Sequence, residues 1–333
     1  MSAERRIVVI TGASAGIGRA TALAFGQRGW RVALLARDAQ RLNAAENDIR
    51  AAGGEAMTIV TDVADQKQVE AAAERIEREW GPIDVWVNNA MATIFGTFLE
   101  TPPEDFRRAT EVTYLGAVWG TRAALIRMRP RDRGTIIQVG SALAYRSIPL
   151  QAPYCGAKSA LRGFTDSLRS ELIHDKSRVH LVMVHLSGFN TPQFDWGRNR
   201  MGKYAQPVGK IFQPELAAEA IYSAAQRPRR EMWVGFPAVQ AIIGTRIIPG
   251  LLDRYLASAA YDGQQTERPL PAAYRDNLYA SVPGNYGAHG RFDERALSSS
   301  AQHSLNVHRG GIAAATLTAL LVLGVWLGRK WRL

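Results

Sequence analysis

The stretch that most constrains this chain begins at Arg6. Arg6 to Ile10 reads as a buried strand, Thr11-Gly12-Ala13-Ser14-Ala15-Gly16-Ile17-Gly18 as a glycine-rich turn, and the run through Arg28 as a helix. Glycines let the backbone approach a pyrophosphate closely, and a helix N-terminus offers free N–H groups and the positive end of a dipole. Strand, turn and helix in this order are the context that gives a glycine motif meaning. Three glycines at these spacings, in that context, argue against an ordinary βα turn.

The alternation then continues along the chain. Arg31–Ala36, Ala56–Val60, Ile83–Val87, Thr135–Val139, Val179–Val184 and Met232–Gly235 read as strands. Asp65–Trp80 reads as a helix with Asp65 near its cap, and a long helix follows Pro102-Pro103. Strands alternating with helices imply an α/β fold, a doubly wound parallel sheet with helices on both faces. Ligands of such sheets bind outside the carboxyl ends of the strands. Gly12 to Gly18, Arg37, Asp62, Asn88, Ser141 and Ser187 all fall at such ends, so one crevice collects them. An acidic residue near the end of the second strand would hold a ribose 2′-hydroxyl. Here Ala36 stands at that position and Arg37 follows it. A guanidinium in place of a carboxylate favours a 2′-phosphate, hence NADP over NAD.

A second feature lies further on. From Ala152 to Leu172 the apolar residues recur at helical spacing, so Tyr154 and Lys158, four apart, share a face. A phenol titrates at about 10 and is a poor acid or base at neutral pH. A neighbouring ammonium lowers that value and equips the phenol to exchange a proton with a carbonyl or hydroxyl oxygen. Ser141 lies thirteen residues before the tyrosine.

Over about Arg5 to Gly235 the chain resembles a short-chain dehydrogenase/reductase of the compact single-domain class. The resemblance rests on T-G-x-x-x-G-x-G at Thr11–Gly18, Asp62-Val63, Asn88-Asn89-Ala90, Ser141, and Y-x-x-x-K at Tyr154–Lys158. It implies a Rossmann-like fold with a nicotinamide cofactor on Gly12, Ser14, Gly16, Ile17, Gly18, Asp62, Val63, Asn88 and Ala90. It implies Tyr154 as general acid/base, Lys158 holding the nicotinamide ribose and depressing the tyrosine pKa, and Ser141 bonding the substrate oxygen. Three positions depart from the family pattern. Met91 replaces the glycine after N-N-A, Thr113 stands where an asparagine often supports a proton-relay water, and Ser187-Gly188 replaces Pro-Gly. Beyond Gly188, Thr191 should reach the nicotinamide carboxamide. The substrate lid of the family falls at Gln193–Gln213, where aromatic and basic residues mix and suit a bulky, partly apolar carbonyl compound.

With 333 residues and 47% apolar content, one large domain with extensions can be built. Residues 1–261 are expected to form it, with Pro237–Tyr261 helical and broken at Pro249-Gly250. The net charge of +11 is scattered rather than clustered, so no nucleic-acid partner is expected, and the six histidines show no metal-ligand spacing. His185, beside a late strand, is expected to pack rather than to catalyse. The single cysteine, Cys155, fits a reducing compartment, and Met1–Arg6 does not read as a secretory signal. From Asp262 to Arg309 the texture turns to Gly, Pro, Ser, Gln, Asn and charge, which reads as linker. Gly310–Gly328 then carries no charge over nineteen residues, bracketed by Arg309, Arg329, Lys330 and Arg332. That length suits a single-pass membrane anchor with the catalytic domain in the cytoplasm. The expected activity is transfer of a hydride between NADP(H) and a carbonyl or alcohol substrate, which an anchor would suggest is lipophilic, with NAD as the alternative to NADP. A nucleotide-binding scaffold at the membrane and an epimerase or dehydratase on the same fold are the alternatives. A homo-oligomer is compatible with all of them.

Overall fold

Strands such as Ile7-Val8-Val9-Ile10 and Val32-Ala33-Leu34-Leu35 carry no polar alternation, as strands covered on both faces do not need it. The computed structural model describes residues 5–307 and places these strands at the centre of one parallel sheet. Its seven strands are β1 (Ile7–Thr11), β2 (Arg31–Ala36), β3 (Glu55–Val60), β4 (Val85–Asn88), β5 (Gly134–Ser141), β6 (Val179–Leu186) and β7 (Glu231–Val234). The spatial order is β7-β6-β5-β4-β1-β2-β3, and the direction of winding reverses between β4 and β1. The crevice outside the carboxyl ends of β1 and β4 is therefore the switch point of the sheet.

Successive residues of a strand face opposite sides, and the two cores follow that rule. Val8 and Ile10 pack with Phe25 of α1 (Gly16–Gly26), Ile49 of α2 (Ala39–Ala51) and, from the helix Pro214–Gln226, Ile221. Ile7 and Val9 pack with Ile76 of α3 (Gln66–Trp80) and, from the helix Gly116–Met128, Met128. Helices thus cover both faces. Asp65 caps α3, its carboxylate accepting from the amides of Lys67 and Gln68.

The helix expected after Pro102-Pro103 is not continuous. It comprises α4 (Pro103–Thr110), a π-helical turn at Glu111–Leu115, and α5 (Gly116–Met128). At the wide turn the Thr113 hydroxyl accepts from the Ala92 amide at 2.9 Å and donates to the Ala92 carbonyl at 3.0 Å. The helix bearing Tyr154 and Lys158 is α6 (Ala152–His174). Near the end come α7 (Pro214–Gln226), α8 (Phe236–Ile247) and α9 (Pro249–Gly263), the last two separated where Pro249 cannot continue a helix.

The segment whose composition reads as linker is laid against the domain. Gln265–Pro269 pairs antiparallel with Lys203–Ala205, and Ala296–Leu297 pairs with Ile211–Phe212. Residues 270–292 between them form no helix or strand but hydrogen-bond to the domain along their length. The apolar stretch Gly310–Gly328 lies outside the described residues. Among the described residues no helix is long and apolar enough to cross a membrane.

Candidate active site

The glycine turn sits directly on the end of β4. Gly12 and Gly16 have φ of 67° and 56°, the left-handed region that glycine adopts without strain. A Cβ at Gly18 would lie 2.1 Å from the Gly12 carbonyl oxygen, so α1 can start this close to β1 only with glycine there. Asn89 Nδ2 donates to the Thr11 carbonyl at 2.9 Å, and the Ala90 amide donates to Thr11 Oγ1 at 3.1 Å. The turn, Arg37 and the ends of β3 and β4 enclose a cavity of about 170 Å³. Of the residues expected there, Gly12, Ser14, Gly16, Ile17, Arg37, Asp62, Val63, Ala90 and Thr191 line it.

The charges in this cavity are uneven. Asp62 accepts from the Ala64 amide at 3.0 Å and is ion-paired with Arg108. Asp38 caps α2 through the Arg41 amide and stands 3.6 Å from Arg41 Nε. Arg37 has no carboxylate within ion-pair distance among the described residues. Its NH groups donate to the carbonyls of Asn277, Leu278 and Tyr279, which leaves Nε–H out of those bonds. Burial pushes its pKa down, against the pull of Asp62. A cradle too tight for side chains beside a cation that no described carboxylate pairs with directly fits a phosphorylated dinucleotide.

One residue is misplaced by the sequence reading. The Asn88 amide donates to Thr121 Oγ1 at 3.0 Å and Gln138 Oε1 at 3.1 Å, and its oxygen accepts from Trp86 Nε1 at 2.9 Å. It is held in a buried network between β4, β5 and α5 and lines neither cavity of the crevice. Asn89 lines both. Adjacent strand residues point to opposite faces, so the choice between two consecutive asparagines needs the register of the strand.

A second cavity, of about 360 Å³, adjoins the first and shares Ile17, Asn89, Met91, Thr191 and Gln193 with it. Ser141, Tyr154, Lys158, Ser187 and Gly188 line it, with an apolar wall that includes Leu143, Ile148, Phe189, Phe194 and Leu256. Ser141 Oγ accepts from the Leu143 amide at 3.1 Å, so its own proton is available to donate. Lys158 Nζ lies 2.6 Å from the Val139 carbonyl and 5.6 Å from the centroid of the Tyr154 ring. Burial lowers the Lys158 pKa to about 8.

The expectation of a depressed tyrosine pKa is not met. Burial pushes the Tyr154 phenol up to about 12, and a hydrogen bond with Ser141 pulls only part of the way back. Loss of water disfavours the phenolate, and the ammonium that was to offset this is directed at Val139. Nor does Thr113 line either cavity, because its hydroxyl is closed on Ala92. Two basic residues of the lid are held away from the second cavity. Arg198 and Arg200 both pair with Asp105 of α4, at 3.0 and 2.9 Å, while Phe194 faces the cavity. The buried His185 bonds the Ser141 carbonyl at 3.1 Å and packs on Tyr145, with its pKa lowered to about 4 by burial. Trp196, Arg41, Asn277 and Ser281 complete the first cavity. The last two come from the polar segment after Asp262, where no local pattern marks a binding residue.

Comparison with known proteins agrees with this geometry. The short chain dehydrogenase family model matches residues 6–198. The chain is 32% identical over 329 residues to the uncharacterized oxidoreductase YxnA of Bacillus subtilis, covering 98% of this chain and 90% of that one. A metagenomic short-chain oxidoreductase solved in complex with NADP is similar in structure, with a TM-score of 0.59 and 28% identity, over 69% of this chain and 96% of that one. An alcohol dehydrogenase from the archaeon Thermococcus sibiricus, complexed with 5-hydroxy-NADP, superposes with a TM-score of 0.61 and 26% identity over the same shares.

Proposed function

The chain belongs to the short-chain dehydrogenase family, and from that premise we propose that it is an NADP(H)-dependent oxidoreductase acting on a lipophilic carbonyl or alcohol. The observation that carries this reading is the continuity of the crevice. The glycine turn and Arg37 stand at one end, Ser141, Tyr154 and Lys158 at the other, and Ile17, Asn89, Met91 and Thr191 belong to both cavities. The NADP and 5-hydroxy-NADP held by the two similar oxidoreductases support the choice of cofactor.

A bound nicotinamide would supply or accept the hydride. Tyr154 would give its phenolic proton to the carbonyl oxygen in reduction, and Ser141 would donate a hydrogen bond to the same oxygen. A phenol kept protonated by burial is suited to act as the acid of the reductive direction. Gly12, Gly16 and Gly18 would admit the pyrophosphate, Arg37 the 2′-phosphate, and Thr191 the carboxamide end. The apolar wall of Leu143, Ile148, Phe189, Phe194 and Leu256 would exclude water and select an apolar substrate.

Attachment to a membrane belongs to the same proposal. It rests on the uncharged run Gly310–Gly328 and on the exposed apolar side chains of Ile247, Leu251 and Tyr255 on α8 and α9, the last of which also lines the substrate cavity. The catalytic domain would then stay on the cytoplasmic side.

The test is NADPH consumption by the full chain against a panel of lipophilic aldehydes and ketones. Turnover by the wild type, lost in Tyr154→Phe with NADPH binding retained, supports the reading. A folded wild type that binds neither NADPH nor NADH overturns it.

A further inference from the structure

The polar segment that follows Asp262 runs along the rim of the cofactor cavity, which Asn277 and Ser281 line. Leu278 and Val282 are buried and fix it at one end, and Phe292 is buried at the other. Between them the Arg41 guanidinium donates to the Gly284 carbonyl at 2.7 Å, and Arg19 donates to Asn285. The Gly16 amide, at the start of α1, donates to the Gly287 carbonyl at 3.0 Å. Tyr286 packs edge-on against Trp196 with ring centroids 4.5 Å apart, and Arg41 lies 4.6 and 5.0 Å from the two rings. His289 bridges Glu215 at 2.8 Å and Asp293 at 2.6 Å. Gly290 touches the backbone of Thr191, where a Cβ would come within 2.5 Å of the carbonyl oxygen.

One of these contacts occupies a group that a dinucleotide's phosphates would use. A helix N-terminus binds phosphate through its free amides, yet the Gly16 amide is already taken by a carbonyl. The three carbonyls of Asn277, Leu278 and Tyr279 take NH donors of Arg37, and its Nε–H is outside those bonds. This end of the crevice is narrow, about 170 Å³ against about 360 Å³ at the substrate end. The middle of the segment is suited to move. Pro283, Gly284, Asn285 and Tyr286 are exposed, and Gly284 and Gly287 have φ of 112° and 68°, so the backbone can refold there without side-chain strain. Exposed polar contacts open at low free energy, whereas the buried ends do not.

We propose that residues 283–290 are a strap that must lift for the dinucleotide to enter and that recloses over it. The carbonyls at 277–279 lie outside the strap and keep their bonds to Arg37, whose Nε–H is left for the 2′-phosphate. The strap sets the rate of cofactor exchange. This inference rests on the proposed cofactor.

The experiment uses the full chain and its Asn285→Ala/Tyr286→Ala variant, which removes the Arg19 bond and the Trp196 contact. NADPH association and dissociation are followed by stopped-flow fluorescence, with hydrogen exchange of 283–290 measured with and without NADPH. The expected result is that both rates rise by about tenfold in the variant while Kd changes far less, as for a gate rather than a contact. In the wild type the strap amides should gain protection on NADPH binding. If the wild type binds NADPH at equilibrium but the variant's rates stay within about twofold and the strap gains no protection, the strap is overturned and the cofactor reading stands. If a folded wild type binds neither NADPH nor NADH, the cofactor reading itself fails and the strap with it. A variant with altered melting is replaced by Asn285→Ala alone, read in the same way.

Discussion

The Lys158 ammonium donates to the Val139 carbonyl across 2.6 Å and stands 5.6 Å from the Tyr154 ring. A bond to the backbone of β5 fixes the lysine at the floor of the crevice. Its charge there is held with little water around it, and burial alone lowers its pKa to about 8.

That charge should oppose folding of the cofactor-free protein. Between about pH 8 and the unfolded value of about 10.4, the unfolded chain holds a proton on Lys158 that the folded chain has released. Stability from this group therefore rises with pH across that window, and the cost is fully present below it. Lys158→Met should melt higher than wild type at pH 7, and the difference should shrink toward pH 10. Paired melting curves at several pH values check this, with turnover of the variant falling at least about a hundredfold.

Tyr154→Phe should reduce kcat by about a thousandfold, because a positioned general acid contributes that order of acceleration. NADPH affinity should stay within about twofold, since the ring and its packing remain. Ser141→Ala should cost about a hundredfold in kcat by removing one donor to the developing oxyanion. Steady-state kinetics alongside fluorescence titration separate the two effects.

Arg37→Asp should weaken NADPH by about 10–100-fold, the range expected when a hydrogen-bonded charge pair is lost. NADH should bind as well as before or better, because a carboxylate at the end of β2 can accept from a 2′-hydroxyl. Titration of both nucleotides into both proteins gives the ratio, and an unchanged ratio would remove Arg37 from the 2′-phosphate site.

Two glycines should behave in opposite ways. In Gly18→Ala the new Cβ meets the Gly12 carbonyl oxygen at 2.1 Å and the Asn89 side-chain amide at 2.6 Å, which leaves it no room. We expect a loss of about 2 kcal/mol or more and no measurable cofactor binding. Gly156 in α6 is exposed, with nothing near its would-be Cβ. Gly156→Ala should stabilise by about 0.5–1 kcal/mol through helix propensity, although it lies two residues from Tyr154. Denaturant unfolding of both variants checks the pair.

The sequence by itself determined the order of strands and helices, the glycine turn, the break before Pro249 and the approach of Tyr154 to Lys158. Each of these follows from short-range periodicity or from one residue's backbone limits, so a few neighbours suffice to read it. The tertiary structure decided what depends on distant partners. Register placed Asn89 in the crevice and Asn88 in a network with Thr121 and Gln138. Packing closed Thr113 on Ala92, and Asp105 drew Arg198 and Arg200 away from the substrate wall. Burial raised the Tyr154 pKa where charge alone predicted a fall. The polar stretch after Asp262 has a linker's composition because its contacts are backbone carbonyls, which every sequence carries. Only the fold shows that they meet Arg37, Arg41 and the Gly16 amide across more than two hundred residues.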